Sequence, residues 1–191
     1  MGRSAASSVF LAVLAATIGV VGGAWAQTAP PSPYSPFSEL RLGVLDHDIA
    51  GPGPERHSPD LSVEALFVKP WTSTDPLWNL LLPRPDVGGT VNFEGKTSEV
   101  YGGLVWDYNL TERIFLESGF GGSVNDGRPG RNSAGYIALG SHVLFRESAS
   151  LGFRLTRNWS IMATIEHMSN AGLAAFNGGL TNLGVRIAYA F

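Results

Sequence analysis

His167 and Ser169 have the residue types and the spacing for nucleophilic chemistry. An imidazole beside a hydroxyl can take its proton as the oxygen attacks an ester carbonyl, provided both side chains project the same way. The stretch from Ile161 to Ser169, IMATIEHMS, meets that condition. Side chains alternate along a strand, so Ile161, Ala163, Ile165, His167 and Ser169 share one face. A rise of roughly 3.3 Å per residue separates the two Cβ atoms by about 6–7 Å, within reach of each other if the side chains lean together. Two polar groups closing an otherwise apolar face make poor filler. Asn170, Ala171 and Gly172 then break the strand, placing an amide and flexible backbone N–H groups beside the hydroxyl, as an oxyanion would need. The plainer alternative is a strand end at an interface, where His167 and Ser169 simply meet water.

The elements that must position this pair are strands. After Glu39 the period-two pattern predicts Glu39–Asp48, Leu61–Lys69, Asp86–Glu94, Glu99–Asn109, Arg113–Val124, Tyr136–Leu155, Trp159–Asn170 and Gly179–Phe191. Turn-rich segments such as GPGPERHSPD and NDGRPGRNSAG separate them. A short helix is expected only at WNLLL (78–82), where Trp71 and Trp78 would suit a membrane boundary.

Met1 to Ala26 reads as a cleaved export signal: Arg3, an apolar run over Val9–Val21, then the A-x-A site Ala24-Trp25-Ala26. Residues 27–38 form a Pro/Ser-rich lead-in, and 39–191 a single barrel domain. There are no cysteines, so an exported chain must be stabilised by its own core or by a membrane. No later stretch approaches the roughly 18 apolar residues of a spanning helix. The net charge of −3 argues against nucleic acid as a partner.

The last strand separates periplasm from outer membrane. Leu183, Val185, Ile187, Tyr189 and Phe191 line one face, while Asn182, Gly184, Arg186, Ala188 and Ala190 line the other. Strand six repeats the pattern, with Val143, Phe145, Leu151 and Phe153 opposite His142, Arg146 and Arg154. Apolar-out, polar-in faces with small residues inside are those of a transmembrane barrel rather than a soluble sandwich or lipocalin-like barrel. The fold class is therefore all-β, an eight-stranded antiparallel transmembrane β-barrel, with a lumen filled by side chains.

His167-Met168-Ser169-Asn170-Ala171-Gly172-Leu173, followed by Asn177-Gly178-Gly179, resembles the lipid A 3-O-deacylase (PagL) family, acyloxyacyl-hydrolase-like outer-membrane enzymes. The resemblance is specific over 140–191 and extends to the earlier strands only in layout. A terminal aromatic, Phe191, also resembles the C-terminal signature of outer-membrane barrels. The family resemblance implies hydrolysis of the ester-linked 3-hydroxyacyl chain of lipid A on the barrel's lipid-facing wall, with no metal and no cofactor. Ser169 would be the nucleophile and His167 its general base. Asn170 and Gly172 would support the oxyanion, and Asn177 would shape the same loop. The implied partners are lipopolysaccharide in the outer leaflet, the outer membrane and, in a homodimer, a second copy of the chain.

One position departs from the pattern. The family's acid that orients the histidine falls at Thr181, which can accept a hydrogen bond from an imidazole but cannot offset an imidazolium charge. Glu147 is a candidate replacement, because it lies on the outward parity of strand six, where a lone carboxylate is costly. If Thr156-Arg157-Asn158 is the turn, Leu155 faces Trp159 and Glu147 lies opposite His167. Its alternative role is a boundary carboxylate reached by water or paired with Arg146 or Arg154. A catalytically impaired structural or binding barrel is the competing functional reading.

The remaining ionisable residues carry weaker signals. His47 and His57, beside Asp46, Asp48 and Asp60, read as a solvated loop rather than a cation site. His142 is expected in the lumen, where Glu94, Glu99, Asp107, Glu117, Arg113 and Arg154 could form ion pairs.

Overall fold

Every strand alternates, and the two resulting faces become the outside and inside of a closed barrel. The computed structural model describes residues 35–50, 53–130 and 135–191. The expected export signal, residues 1–26, and residues 27–34 of the lead-in lie outside the described residues. The strands are β1 (Phe37–Asp46), β2 (Pro59–Phe67), β3 (Arg84–Asn92), β4 (Glu99–Asn109), β5 (Ile114–Asn125), β6 (Val143–Arg154), β7 (Trp159–Ser169) and β8 (Leu180–Ala190). Each pairs antiparallel with its neighbour in the chain, and β8 closes onto β1. Closure leaves no unpaired edge, which a chain in hydrocarbon cannot tolerate. The fold class is the one the alternation predicts.

Apolar side chains such as Leu42, Val44, Val100, Val143 and Val185 are exposed on the outer wall, where the solvent is lipid. The lumen is a charged plug. Arg41 donates to Glu39 at 2.6 Å and to Glu64 at 3.0 Å, and grips Glu117 with both terminal nitrogens. Arg146 and Arg186 both donate to Glu166, at 2.7 and 2.9 Å, and Arg146 lies over the Tyr101 ring. Of the ionisable residues expected there, Glu117 and Asp107 take part in such pairs, whereas Glu94 and Arg113 are exposed. Both of the latter sit in turns beyond the strands, so parity does not direct them inward. Arg154 donates to the Asn109 amide oxygen instead of to a carboxylate.

The rim at the strand termini carries short turns and aromatic pairs, including Trp159 against Tyr189 at 4.9 Å. It also carries the helix α1 (Pro76–Leu81), capped by Asp75 and close to its expected place, with Trp78, Leu77 and Leu81 exposed. The opposite rim carries the β1–β2, β3–β4, β5–β6 and β7–β8 loops. Here β6 starts later than expected, at Val143 instead of Tyr136. Ile137, Ala138 and Leu139 are all buried, which a two-faced strand does not allow, and Gly140 turns the chain at φ +81°. His142 is consequently an exposed rim residue and not a lumen one, with Nδ1 hydrogen-bonded to the Asn125 carbonyl.

His47 also differs from expectation. Its ring is fully buried, with Nδ1 at 2.7 Å from Asp60 and Nε2 at 3.2 Å from Glu55, while only the His57–Asp46 pair is exposed. The partners come from distant positions, so a local reading sees only a polar loop. Burial alone would lower the His47 pKa, but the hydrogen bonds and charges of Asp60 and Glu55 raise it from 6.5 to about 9. A raised pKa stabilises the fold fully below the unfolded value and is lost as pH rises through the folded one. Stability against thermal unfolding in detergent should therefore fall between pH 7 and 10, by up to ~3 kcal/mol from this residue, and His47→Gln should remove that part of the slope. An identical slope in the variant would refute the assignment.

Candidate active site

Ser169 ends β7 at the long-loop rim, and His167 precedes it on the same outward face. Both are half-buried, while Met168 between them is buried in the lumen beside Leu144, Leu180, Ile137 and Leu139. That inward cluster fixes the end of the strand, so the outward pair rests on packed apolar chains.

Two strands flank the imidazole. In the β6–β7 register Glu147 lies directly opposite His167, and Phe145 opposite Ser169, as the three-residue turn requires. In the β7–β8 register Thr181 lies opposite His167 on the other side, and its hydroxyl is 2.8 Å from Nδ1. The Nδ1 contact therefore belongs to threonine, and Glu147 holds the paired position on the neighbouring strand. Gly179 closes the space above the ring: it has φ +65°, and a Cβ there would stand 3.0 Å from the His167 Cε1 atom. Any side chain at that position would displace the imidazole.

The turn after Ser169 is tied on every side. The Asn170 side-chain amide donates to the carbonyls of Leu139 at 2.8 Å and Phe176 at 2.6 Å, and its oxygen accepts from Gly172 N–H at 2.9 Å. The Asn170 N–H in turn donates to the Asn177 side-chain oxygen at 3.0 Å. Asn170, Gly172 and Asn177 thus come together in one turn, and the Asn170 amide hydrogens and the Gly172 N–H, read from sequence as oxyanion donors, are engaged with the loops and with each other. From Asn170 to Leu173, only the Ala171 N–H has no acceptor among the described residues. Ala171 itself holds φ +54°, a left-handed conformation uncommon for a residue with a Cβ. The sequence offers the backbone N–H groups of Asn170, Ala171 and Gly172 together, and only the fold distinguishes that of Ala171 among them.

Beside this turn the outer wall is indented. A groove of about 520 Å³ is lined by Phe120, Gly122, Val143, Phe145, Leu173 and Ala174, among others. It is overwhelmingly apolar and reaches Asn170. Among the described residues no cluster of His, Cys, Asp and Glu is arranged to hold a metal ion.

The family model for lipid A 3-O-deacylase (PagL) matches residues 62–190. This chain belongs to the PagL family. The match runs from β2 through β8, so it covers both the wall of the barrel and the site. A crystal structure of the outer membrane enzyme PagL superposes with a TM-score of 0.60 at 17% identity, covering 81% of this chain and all of the other. Neisserial surface protein A superposes at 0.54 and 12% identity, covering 82% of this chain and 98% of that one. A de novo designed transmembrane β-barrel superposes at 0.51 and 15% identity, covering 82% and 96%. At these identities the three likenesses establish the barrel alone. None of the curated proteins compared with the sequence matches it.

Proposed function

We propose that the protein is an outer-membrane lipid A 3-O-deacylase working by serine-type ester hydrolysis. The observation that carries this reading is a histidine, held through Nδ1 by Thr181, on the same outward face as Ser169 and beside an apolar groove in the wall. A lipid substrate reaches such a site by lateral diffusion, so no aqueous pocket is needed.

With Nδ1–H donating to Thr181, Nε2 of His167 is the unprotonated nitrogen and acts as the base. It takes the Ser169 hydroxyl proton as Oγ bonds to the ester carbonyl carbon, and the carbonyl oxygen becomes an oxyanion. Ala171 N–H is the donor left available to that oxygen, and the hydrogen bonds of Asn170, Gly172 and Asn177 hold it in place. Collapse of the intermediate breaks the bond to the sugar oxygen, which leaves with the proton from His167. Water, deprotonated by His167, then attacks the acyl-enzyme and releases the 3-hydroxy fatty acid and free Ser169. Glu147, opposite His167, supplies negative charge facing the transient imidazolium.

The test is mass spectrometry of lipid A from a Gram-negative host expressing the protein. Loss of one 3-hydroxyacyl chain is expected. Unchanged lipid A, with the barrel assembled in the outer membrane, would sink the proposal and favour a structural barrel, a reading motivated by threonine at position 181.

The groove is where the acyl chain would lie, and Gly122 is its most adjustable wall. A Cβ there meets nothing closer than the Leu144 carbonyl at 3.6 Å, so a side chain can start from the wall without a backbone clash. Gly122→Phe should shift preference to shorter acyl chains, by about fourfold in kcat/KM per methylene excluded, given ~0.8 kcal/mol per buried methylene. Fatty acids released from lipid A of mixed chain length would report it; an unaltered product distribution would place the acyl chain elsewhere.

A further inference from the structure

We propose that the β1–β2 loop is a positioning element of the catalytic centre, with Glu55 as the residue that couples it to the turn after Ser169. The proposal rests on the deacylase reading and adds to it a residue far from the catalytic motif in sequence.

Glu55 is a fully buried carboxylate shared among three loops. One oxygen faces His47 Nε2 at 3.2 Å and accepts from the Thr97 N–H, in the β3–β4 loop, at 3.0 Å. The other accepts from the Ile137 N–H, in the β5–β6 loop, at 2.7 Å. The two residues after Ile137 hold the catalytic loop. Ala138 O accepts from Gly178 N–H at 2.9 Å, and Leu139 O accepts from the Asn170 amide at 2.8 Å. Asn170 directly follows Ser169. Apolar packing reinforces the same route: a Cβ on Gly53 would lie 2.7 Å from the Ile137 side chain, and Ile137 and Leu139 share a buried cluster with Met168 and Leu180.

The start of the loop reaches the other side of the site. Ile49 N–H donates to the Thr181 carbonyl at 2.7 Å, and Asp48 N–H donates to the Asn182 side chain at 3.0 Å. One loop therefore braces both the residue that follows the nucleophile and the residue that holds His167. Displacements of about 1 Å at reacting groups can cost roughly a hundredfold in rate, so a rigid brace has kinetic consequences. Removing the Glu55 carboxylate strips the Ile137 N–H of its acceptor and frees the strip that holds Asn170.

The experiment compares Glu55→Ala, Glu55→Gln and, as a control on the exposed part of the same loop, His57→Asn. Each purified barrel is assayed on lipid A in detergent micelles and examined by hydrogen–deuterium exchange. Glu55→Ala should lower kcat by about a hundredfold with KM within about twofold, and should speed exchange over 170–179. Glu55→Gln keeps an oxygen for the Ile137 N–H and should recover at least about tenfold of the lost kcat. His57→Asn should match the wild type. Unchanged exchange over 170–179 in Glu55→Ala would overturn the proposal, as would equal losses of kcat in the alanine and glutamine variants of a folded barrel. If the wild type releases no acyl chain, the deacylase reading fails by itself, and exchange over 170–179 still decides whether Glu55 braces the turn.

Discussion

Ser169→Ala is expected to abolish acyl release, lowering the rate by about 10⁴–10⁶-fold while leaving the barrel intact. The serine is half-buried on the outer wall, at the last position of β7, and alanine keeps both the strand geometry and the packing of Met168 beneath it. Stability should barely move, because an outward hydroxyl at the rim loses no partner needed for folding. The loss must therefore fall on chemistry: without Oγ no acyl-enzyme forms, and only direct attack by water is left. Lipid A from a host carrying the variant should retain every acyl chain, and the variant should migrate as a folded barrel in unheated gels. Undiminished deacylation would remove Ser169 as nucleophile and, with it, the serine mechanism.

How much of this arrangement is legible in sequence depends on how far apart the interacting residues lie. The outward parity of His167 and Ser169 follows from strand alternation, and Glu147 opposite His167 follows from one short turn whose length fixes the register. Short hairpins transmit register faithfully, so counting suffices. The β7–β8 connection, 170–179, is too long and irregular for that, and the Thr181 hydrogen bond to Nδ1 emerges only from the closed barrel. Burial of His47 is less accessible still: Glu55, Asp60, Thr97 and Ile137 converge from three loops and one strand, and none of them lies at a recurring spacing. The same holds for Asn170. A side-chain amide after a nucleophile suggests an oxyanion donor, yet its two hydrogens go to carbonyls at positions 139 and 176. Barrel walls are local and readable, whereas rim loops are settled by tertiary hydrogen bonds.

Thr181→Glu is the complementary experiment, a gain in place of a loss. Threonine fixes the tautomer and direction of His167 but itself brings no charge to the imidazolium formed during attack. Loss of that charge in serine hydrolases costs about 10⁴-fold, so restoring a carboxylate at a site already 2.8 Å from Nδ1 should raise kcat by about 10²–10³-fold. Thr181 is buried beside Gly179, and Thr181→Asp serves as the shorter alternative if glutamate crowds the ring. The size of the gain also measures what Glu147 already contributes. If Glu147 supplies the missing charge from across the β6–β7 pair, Glu147→Gln should reduce activity by about tenfold or more in the native background and have little effect once position 181 is glutamate. If Glu147 is only a boundary carboxylate, the two substitutions should act independently, and their effects should multiply. Measured as a cycle on lipid A deacylation, the non-additivity assigns the acid. A folded barrel whose rate is unmoved by either carboxylate at 181 would mean that this histidine works without charge stabilisation, with Thr181 as a sufficient third member.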